Sequence, residues 1–336
     1  MNLKDRFKEL KRESNQATSN FLLDCFDEGD LETVDTEALH YSFIASKKKK
    51  ILSLVEGMKI DFDPKLKSAF DEYSEALTYL RLRAKFTIER ISEGKGKSPD
   101  FKIILTTEGQ TINVYAELKS ISFTDNNINY KEAMAGSRKG KIEIEDQIKR
   151  GKDFSFAITE IAPIKKGNRN YDPLSPRYFI ETLIEKIEQN LKRDQYSFGD
   201  TVLIIDLKQL ALPSGYPEGY TAVFREDRDN SFVSGALWNI AFGKIGHLIF
   251  KPIEFAGTSN VDGDLTREGI LVNRDWIKAI VFIERDSDFR KSNIAGLYNS
   301  RSVTDGVRKF LHEFCHFTND ETNSHAWSVN DRMDNG

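Results

Sequence analysis

The chain has 336 residues, 39% hydrophobic and 30% charged, with a formal net charge of −4. That is the balance of an ordinary globular protein with room for a full core, and it excludes coating nucleic acid by bulk charge alone. No apolar run approaches the roughly 18 residues of a membrane span. Charges in Met1-Asn2-Leu3-Lys4-Asp5-Arg6 replace the apolar run of a signal peptide, and Cys25 and Cys315 form no redox or metal spacing, so a cytoplasmic setting is expected.

Residues 1–65 read as a helical N-terminal extension without strand-like alternation, in which Lys47 to Lys50 form an exposed helical turn. Asp63-Pro64 then looks like a helix start, with Asp as cap and Pro at the first helical position. Leu66, Phe70, Tyr73, Leu77, Leu80 and Ala84 recur at helical spacing and give one apolar stripe. Phe86-Thr87-Ile88 alternates briefly as a strand, and Ser92 to Ser98 is a Gly/Lys/Ser loop. Phe101–Leu105 and Ile112–Lys119 read as two strands joined by a turn that contains Gly109. A polar stretch leads into a helical region ending near Lys149, and Phe154–Ile158 is a further strand candidate.

Ser175-Pro176 opens a long helix carrying Phe179, Leu183 and Ile187. Thr201–Leu207 is a continuous apolar run, the mark of a strand covered on both faces. A helix surrounds Trp238, strands follow at His247–Phe250 and Ile280–Glu284, and a last helix spans about Thr304 to Phe317. Val261-Asp262-Gly263-Asp264 reads as a turn, because it lacks the ligand spacing of a calcium loop. The expected architecture is α/β, a mixed central sheet flanked by helices over 66–318, with a flexible tail at 319–336.

Chemistry concentrates at Asp100 and at Glu117-Leu118-Lys119. Side chains alternate along a strand, so Glu117 and Lys119 share a face, and strand pairing can bring Asp100 to join them. Two acids can hold a hard divalent cation, Mg²⁺ or Mn²⁺, with the Leu118 carbonyl as a further oxygen ligand to call on. A lysine beside them suits orienting a water or countering developing charge. The surroundings are locally basic: seven Lys/Arg against three Asp/Glu between Tyr79 and Lys102, and seven against four between Lys131 and Lys152. Lys97 and Lys149 lie in these stretches and are the candidates for contacting a phosphodiester backbone.

Ser98-Pro99-Asp100-Phe101 followed by Tyr115-Ala116-Glu117-Leu118-Lys119-Ser120 resembles the PD-(D/E)XK, or restriction-endonuclease-like, nuclease superfamily over roughly Leu66 to Lys152. The resemblance implies a restriction-endonuclease-like core and metal-dependent hydrolysis of phosphodiester bonds, in DNA or alternatively RNA, in defence or repair. It implies catalytic roles for Asp100, Glu117 and Lys119, and an acid on the preceding helix completing the metal site. Glu75 is the candidate for that acid, with Glu72 as the alternative. Gln147 matches a residue that approaches the site from the following helix in many relatives. Targeting would come from the extensions, a homodimer or a partner protein.

A rival pattern is His312-Glu313-Phe314-Cys315-His316, which fits H-E-x-x-H. On a helix its two histidines can bind zinc while the glutamate acts as general base of a peptidase, with His325 as a third ligand. Against it, Val307, Phe310, Leu311, Phe314 and Phe317 form the apolar stripe and leave the histidines on the solvated side. A non-catalytic nucleic-acid-binding protein of the same fold is the third reading.

Overall fold

The computed structural model describes residues 2–17, 22–58, 65–91, 98–107, 109–121, 127–157, 175–210, 225–226, 232–233, 235–250, 261–285 and 292–322. The chain divides into two compact units, Met1–Leu80 with Ser122–Arg169, and Arg81–Ile121 with Asn170–Gly336. The Asp63-Pro64 cap, Lys97, His325 and Trp327 lie outside the described residues, as do most of the Ser92–Ser98 loop and the tail beyond 322.

The first unit is helical: α1 (Leu3–Ala17), α2 (Glu28–Glu37), α3 (Ser42–Val55), most of α4 (Lys65–Lys85) and α5 (Asn127–Lys149). Asp27 caps α2, its carboxylate accepting from the amides of Gly29 and Asp30, as a first-turn acceptor should. An aromatic cluster forms the core. The Phe26 ring centroid lies 4.2 Å from Phe7 and 5.5 Å from Phe70, in edge or tilted packing. Helix α4 departs from the expected stripe: Leu66, Phe70, Tyr73 and Leu77 are buried, but Leu80 is half-buried and Ala84 exposed, while Thr78, Tyr79 and Leu82 are buried instead. Lys47 is buried rather than on an exposed turn, because two carboxylates of α4 receive its ammonium.

The second unit holds a mixed sheet. Its strands are β1 (Thr87–Arg90), β2 (Phe101–Thr107), β3 (Gln110–Ser120), β4 (Thr201–Asp206), β9 (Ala279–Arg285), β10 (Ser292–Tyr298) and β11 (Phe317–Asp320), in the order β1-β2-β3-β4-β9-β10-β11. Two short pairs stand apart, β5 (Arg225–Glu226) with β6 (Phe232–Val233) and β7 (Leu248–Phe250) with β8 (Val261–Asp264). Helices α6 (Pro176–Asn190), α7 (Ala236–Phe242) and α8 (Asp305–Phe314) complete it. Strands β1 to β3 are antiparallel, β3, β4 and β9 parallel, β9–β10 antiparallel and β10–β11 parallel. All six residues of β4 are buried, as its unbroken apolar run requires of a strand covered on both faces. No helix among the described residues is long and apolar enough to cross a membrane.

Four further expectations need correcting. Phe154–Ala157 is not a strand; Phe154 and Phe156 are exposed and have no apolar face to cover. Val261–Asp264 is a strand rather than a turn, and Asp262 has a structural task. Its Oδ2 accepts from Ser175 Oγ at 2.7 Å and from the Arg177 amide at 2.8 Å, reinforcing the start of α6. The last helix stops at Phe314, not Phe317, because Cys315 is extended. Phe317–Asp320 then pairs with β10, so the sheet takes in the first residues assigned to the tail.

Candidate active site

Asp100 precedes β2 and is fixed by backbone bonds on both sides. Its amide donates to the Ala116 carbonyl at 3.0 Å, and its carbonyl accepts from the Ile91 amide at 3.2 Å. Its carboxylate reaches across β3, where Oδ2 accepts from the Leu118 amide at 2.7 Å. That amide follows Glu117 directly in the chain, so the two acids meet at the same point of the sheet.

Glu117 sits near the carboxyl end of β3, opposite Leu203 of the buried strand β4. It is only 1% exposed. Its Oε1 accepts from the Lys119 ammonium and from Gln195 Nε2, the latter at 2.6 Å. Its Oε2 is buried with no hydrogen-bond partner. Burial pushes the Glu117 carboxyl above the usual range, against the opposing pull of Lys119, Gln195 and Lys192. Lys119 keeps 21% of its side chain exposed, so its ammonium stands between the buried acid and solvent.

The sequence pattern therefore places Asp100, Glu117 and Lys119 together, by strand alternation and β2–β3 pairing. It did not find Gln195 and Tyr196. These lie on the 3₁₀ turn Arg193–Tyr196 ahead of β4 and are both buried. Lys192-Arg193-Asp194-Gln195 reads as a solvated connection, and nothing in local spacing links it to a residue 78 positions away. Tyr196 packs edge-on against Trp276, with centroids 4.7 Å apart. Burial, then the charges of Glu117 and Asp100, holds its phenol well above the ordinary range.

The other candidates have different surroundings. Glu75 and Glu72 belong to the first unit, where both carboxylates accept from the buried Lys47. Burial alone would raise the Glu72 carboxyl, but hydrogen bonds from Lys47 and Lys50 outweigh it and leave it lowered. Gln147, also in the first unit, has its amide engaged locally: Nε2 donates to the Phe156 carbonyl at 2.8 Å and to Glu143 Oε1 at 3.4 Å, and Oε1 accepts from the Phe156 amide at 3.2 Å. Lys149 is exposed beside Asp146 at 4.0 Å. In the second unit, Asp200 accepts from Thr304 Oγ1 at 2.6 Å, and the fully buried Asp206 accepts from the Lys208 amide at 2.8 Å. Both are structural contacts.

The chain matches no family model, no curated protein and no solved structure.

The histidine pattern does not form a helical pair. Helix α8 ends before His316, whose Nδ1 accepts from the Ile294 amide at 3.3 Å. His312 and His316 thus lose the one-turn spacing that zinc needs. No group of three or more His, Cys, Asp or Glu stands together among the described residues. Two carboxylates suffice for a hard cation that keeps several waters. The unpartnered Glu117 Oε2, with the Asp100 carboxylate held at the neighbouring Leu118 amide, has the donor chemistry to fit one.

Proposed function

We propose that the second unit carries a Mg²⁺- or Mn²⁺-dependent phosphodiesterase site, and that the chain is a nuclease acting on DNA, with RNA as the alternative substrate. The mixed sheet with its acids at one end of a parallel strand is compatible with a restriction-endonuclease-like core. The observation that carries the reading is Glu117: a carboxylate 1% exposed, with one oxygen held by Lys119 and Gln195 and the other without any partner. Such a group is costly in a purely structural role, because an unsatisfied buried acceptor costs about 1–3 kcal/mol and more when charged.

Asp100 and Glu117 would hold the cation, which supplies polarisation of the phosphate and a bound water of lowered pKa. The protein does the rest. The Leu118 amide fixes the Asp100 carboxylate by charge-assisted hydrogen bonding. Gln195 fixes Glu117 from behind. Lys119 brings a positive charge from the solvent side, where it can orient the attacking water and counter charge that develops on the phosphate.

The test is cleavage of supercoiled plasmid and of end-labelled single- and double-stranded oligonucleotides, with MgCl₂, MnCl₂ or EDTA. Metal-dependent cutting is expected, lost at least about 100-fold in Asp100→Asn and Lys119→Ala variants that melt like the wild type. Cutting that survives both substitutions rejects the assignment. Retention of DNA in a gel with EDTA, without cutting under any metal, makes the chain a binding protein.

A further inference from the structure

Three buried oxygens around Glu117 lack any hydrogen-bond partner: Glu117 Oε2, Gln195 Oε1 and Tyr196 Oη. Gln195 is 8% and Tyr196 5% exposed. Buried polar atoms are nearly always paired, so three orphans in one neighbourhood call for a common cause. Their chemistry is one-sided. A carboxylate oxygen and an amide oxygen only accept, and a phenol oxygen can also accept. They cannot satisfy one another completely, whereas a ligand rich in donors would satisfy all three.

Geometry binds the three together. Gln195 Nε2 is fastened to Glu117 Oε1 at 2.6 Å, so its buried, unpartnered oxygen belongs to an amide group anchored on that carboxylate. Tyr196 is the next residue on the same rigid turn, backed by Trp276. Both Asp100 and Glu117 act on its hydroxyl strongly enough to raise its proton affinity, on top of the effect of burial.

We infer that Gln195 and Tyr196 are positioning residues that hold the water carried by a hard cation on Glu117, with the amide and phenol oxygens accepting that water's protons. This rests on the cation reading of Asp100 and Glu117. A hydrated cation carries several waters whose hydrogens point outward, and outer partners of this kind tune metal affinity. The ordinary alternative is that both side chains only fill space beside Trp276.

The experiment titrates Mn²⁺ into the full-length protein by calorimetry, with water-proton relaxation as a readout of bound water. It compares wild type, Gln195→Met, Gln195→Glu and Tyr196→Phe, and adds thermal melting in EDTA. Gln195→Met and Tyr196→Phe should weaken Mn²⁺ binding by about 10-fold or more. Tyr196→Phe should melt no lower than wild type in EDTA, because it deletes a hydroxyl without a partner. Gln195→Glu should melt lower in EDTA, with a second carboxylate facing Glu117, and should bind Mn²⁺ at least as tightly as wild type. If all three variants stay within about twofold of wild type in Mn²⁺ affinity and relaxation, the inference is overturned and the cation reading stands. Wild type that binds no Mn²⁺ overturns both.

Discussion

Replacing Glu117 by Gln separates the charge of this side chain from its shape. The variant retains an oxygen to accept from Gln195 and Lys119 and removes a negative charge from a position 1% exposed. In the wild type, burial raises the carboxyl above its ordinary range, and the counter-pull of Lys119, Gln195 and Lys192 is not enough to cancel it. A carboxyl group with a raised pKa holds its proton more tightly folded than unfolded. Its stabilising effect is present below the unfolded value and lost as pH climbs through the folded one. At pH 8 the wild type therefore bears the full cost of the ionised, half-paired group. That cost is about 1–3 kcal/mol for an unsatisfied buried acceptor. Weakening the contact with Lys119 returns about 1 kcal/mol at most, because that ammonium is partly exposed. Glu117→Gln should then stabilise the metal-free protein by up to about 2 kcal/mol at pH 8, a rise of at most a few degrees in Tm. The gain should shrink toward zero near pH 4. Saturating Mn²⁺ should reverse the ranking: a ligand at 100 times its Kd adds about 2.7 kcal/mol to the wild type and nothing to a variant that cannot bind it. Scanning calorimetry at pH 8 and pH 4, with EDTA and with MnCl₂, reads all four values. A variant that melts below wild type in EDTA at pH 8 refutes the reasoning, since Glu117 would then be a net stabilising partner of Lys119.

Lys47→Met should destabilise by about 3–5 kcal/mol, because it leaves Glu72 and Glu75 facing each other without their shared ammonium; denaturant titration reads it. Gly269→Ala should cost about 1–3 kcal/mol in the same assay, since an added Cβ would lie 2.6 Å from the Ala241 carbonyl in α7. The Cys315 thiol is buried and pushed far up by desolvation, and Cys25 is buried too; an aromatic disulfide reagent should react with neither at pH 8 until denaturant is added.

Much of the fold was legible because the strongest signals are local. The apolar run Thr201–Leu207 announces a strand covered on both sides, and β4 is that strand. Ser175-Pro176 announces a helix start, and Ser175 Oγ accepts from the Tyr178 amide at 3.0 Å. What escaped depends on distant partners. Strand β10 carries Gly296 where a side chain would meet Cys315 Sγ at 2.8 Å, so a strand-breaking residue is there for close packing against the end of α8. The H-E-x-x-H pattern failed for the same reason. Periodicity lets the helix run on to Phe317, but pairing with β10 draws His316 and Phe317 into the sheet.

The candidate site divides along the same line. Asp100, Glu117 and Lys119 are set by the period of a strand and the pairing of two neighbours, both readable from spacing. Yet spacing describes a structural hairpin with a cross-strand lysine equally well, and that bland arrangement would satisfy its own hydrogen bonds. The difference lies in what β4 brings along. The turn before it delivers Gln195 to one oxygen of Glu117 and leaves the other bare, in a position only 1% exposed. A solvated hairpin acid would have no such deficit. The functional reading thus depends on a residue 78 positions away in sequence that contributes no recognisable motif of its own, because the deficit comes from burial and unequal pairing, which only the folded sheet creates.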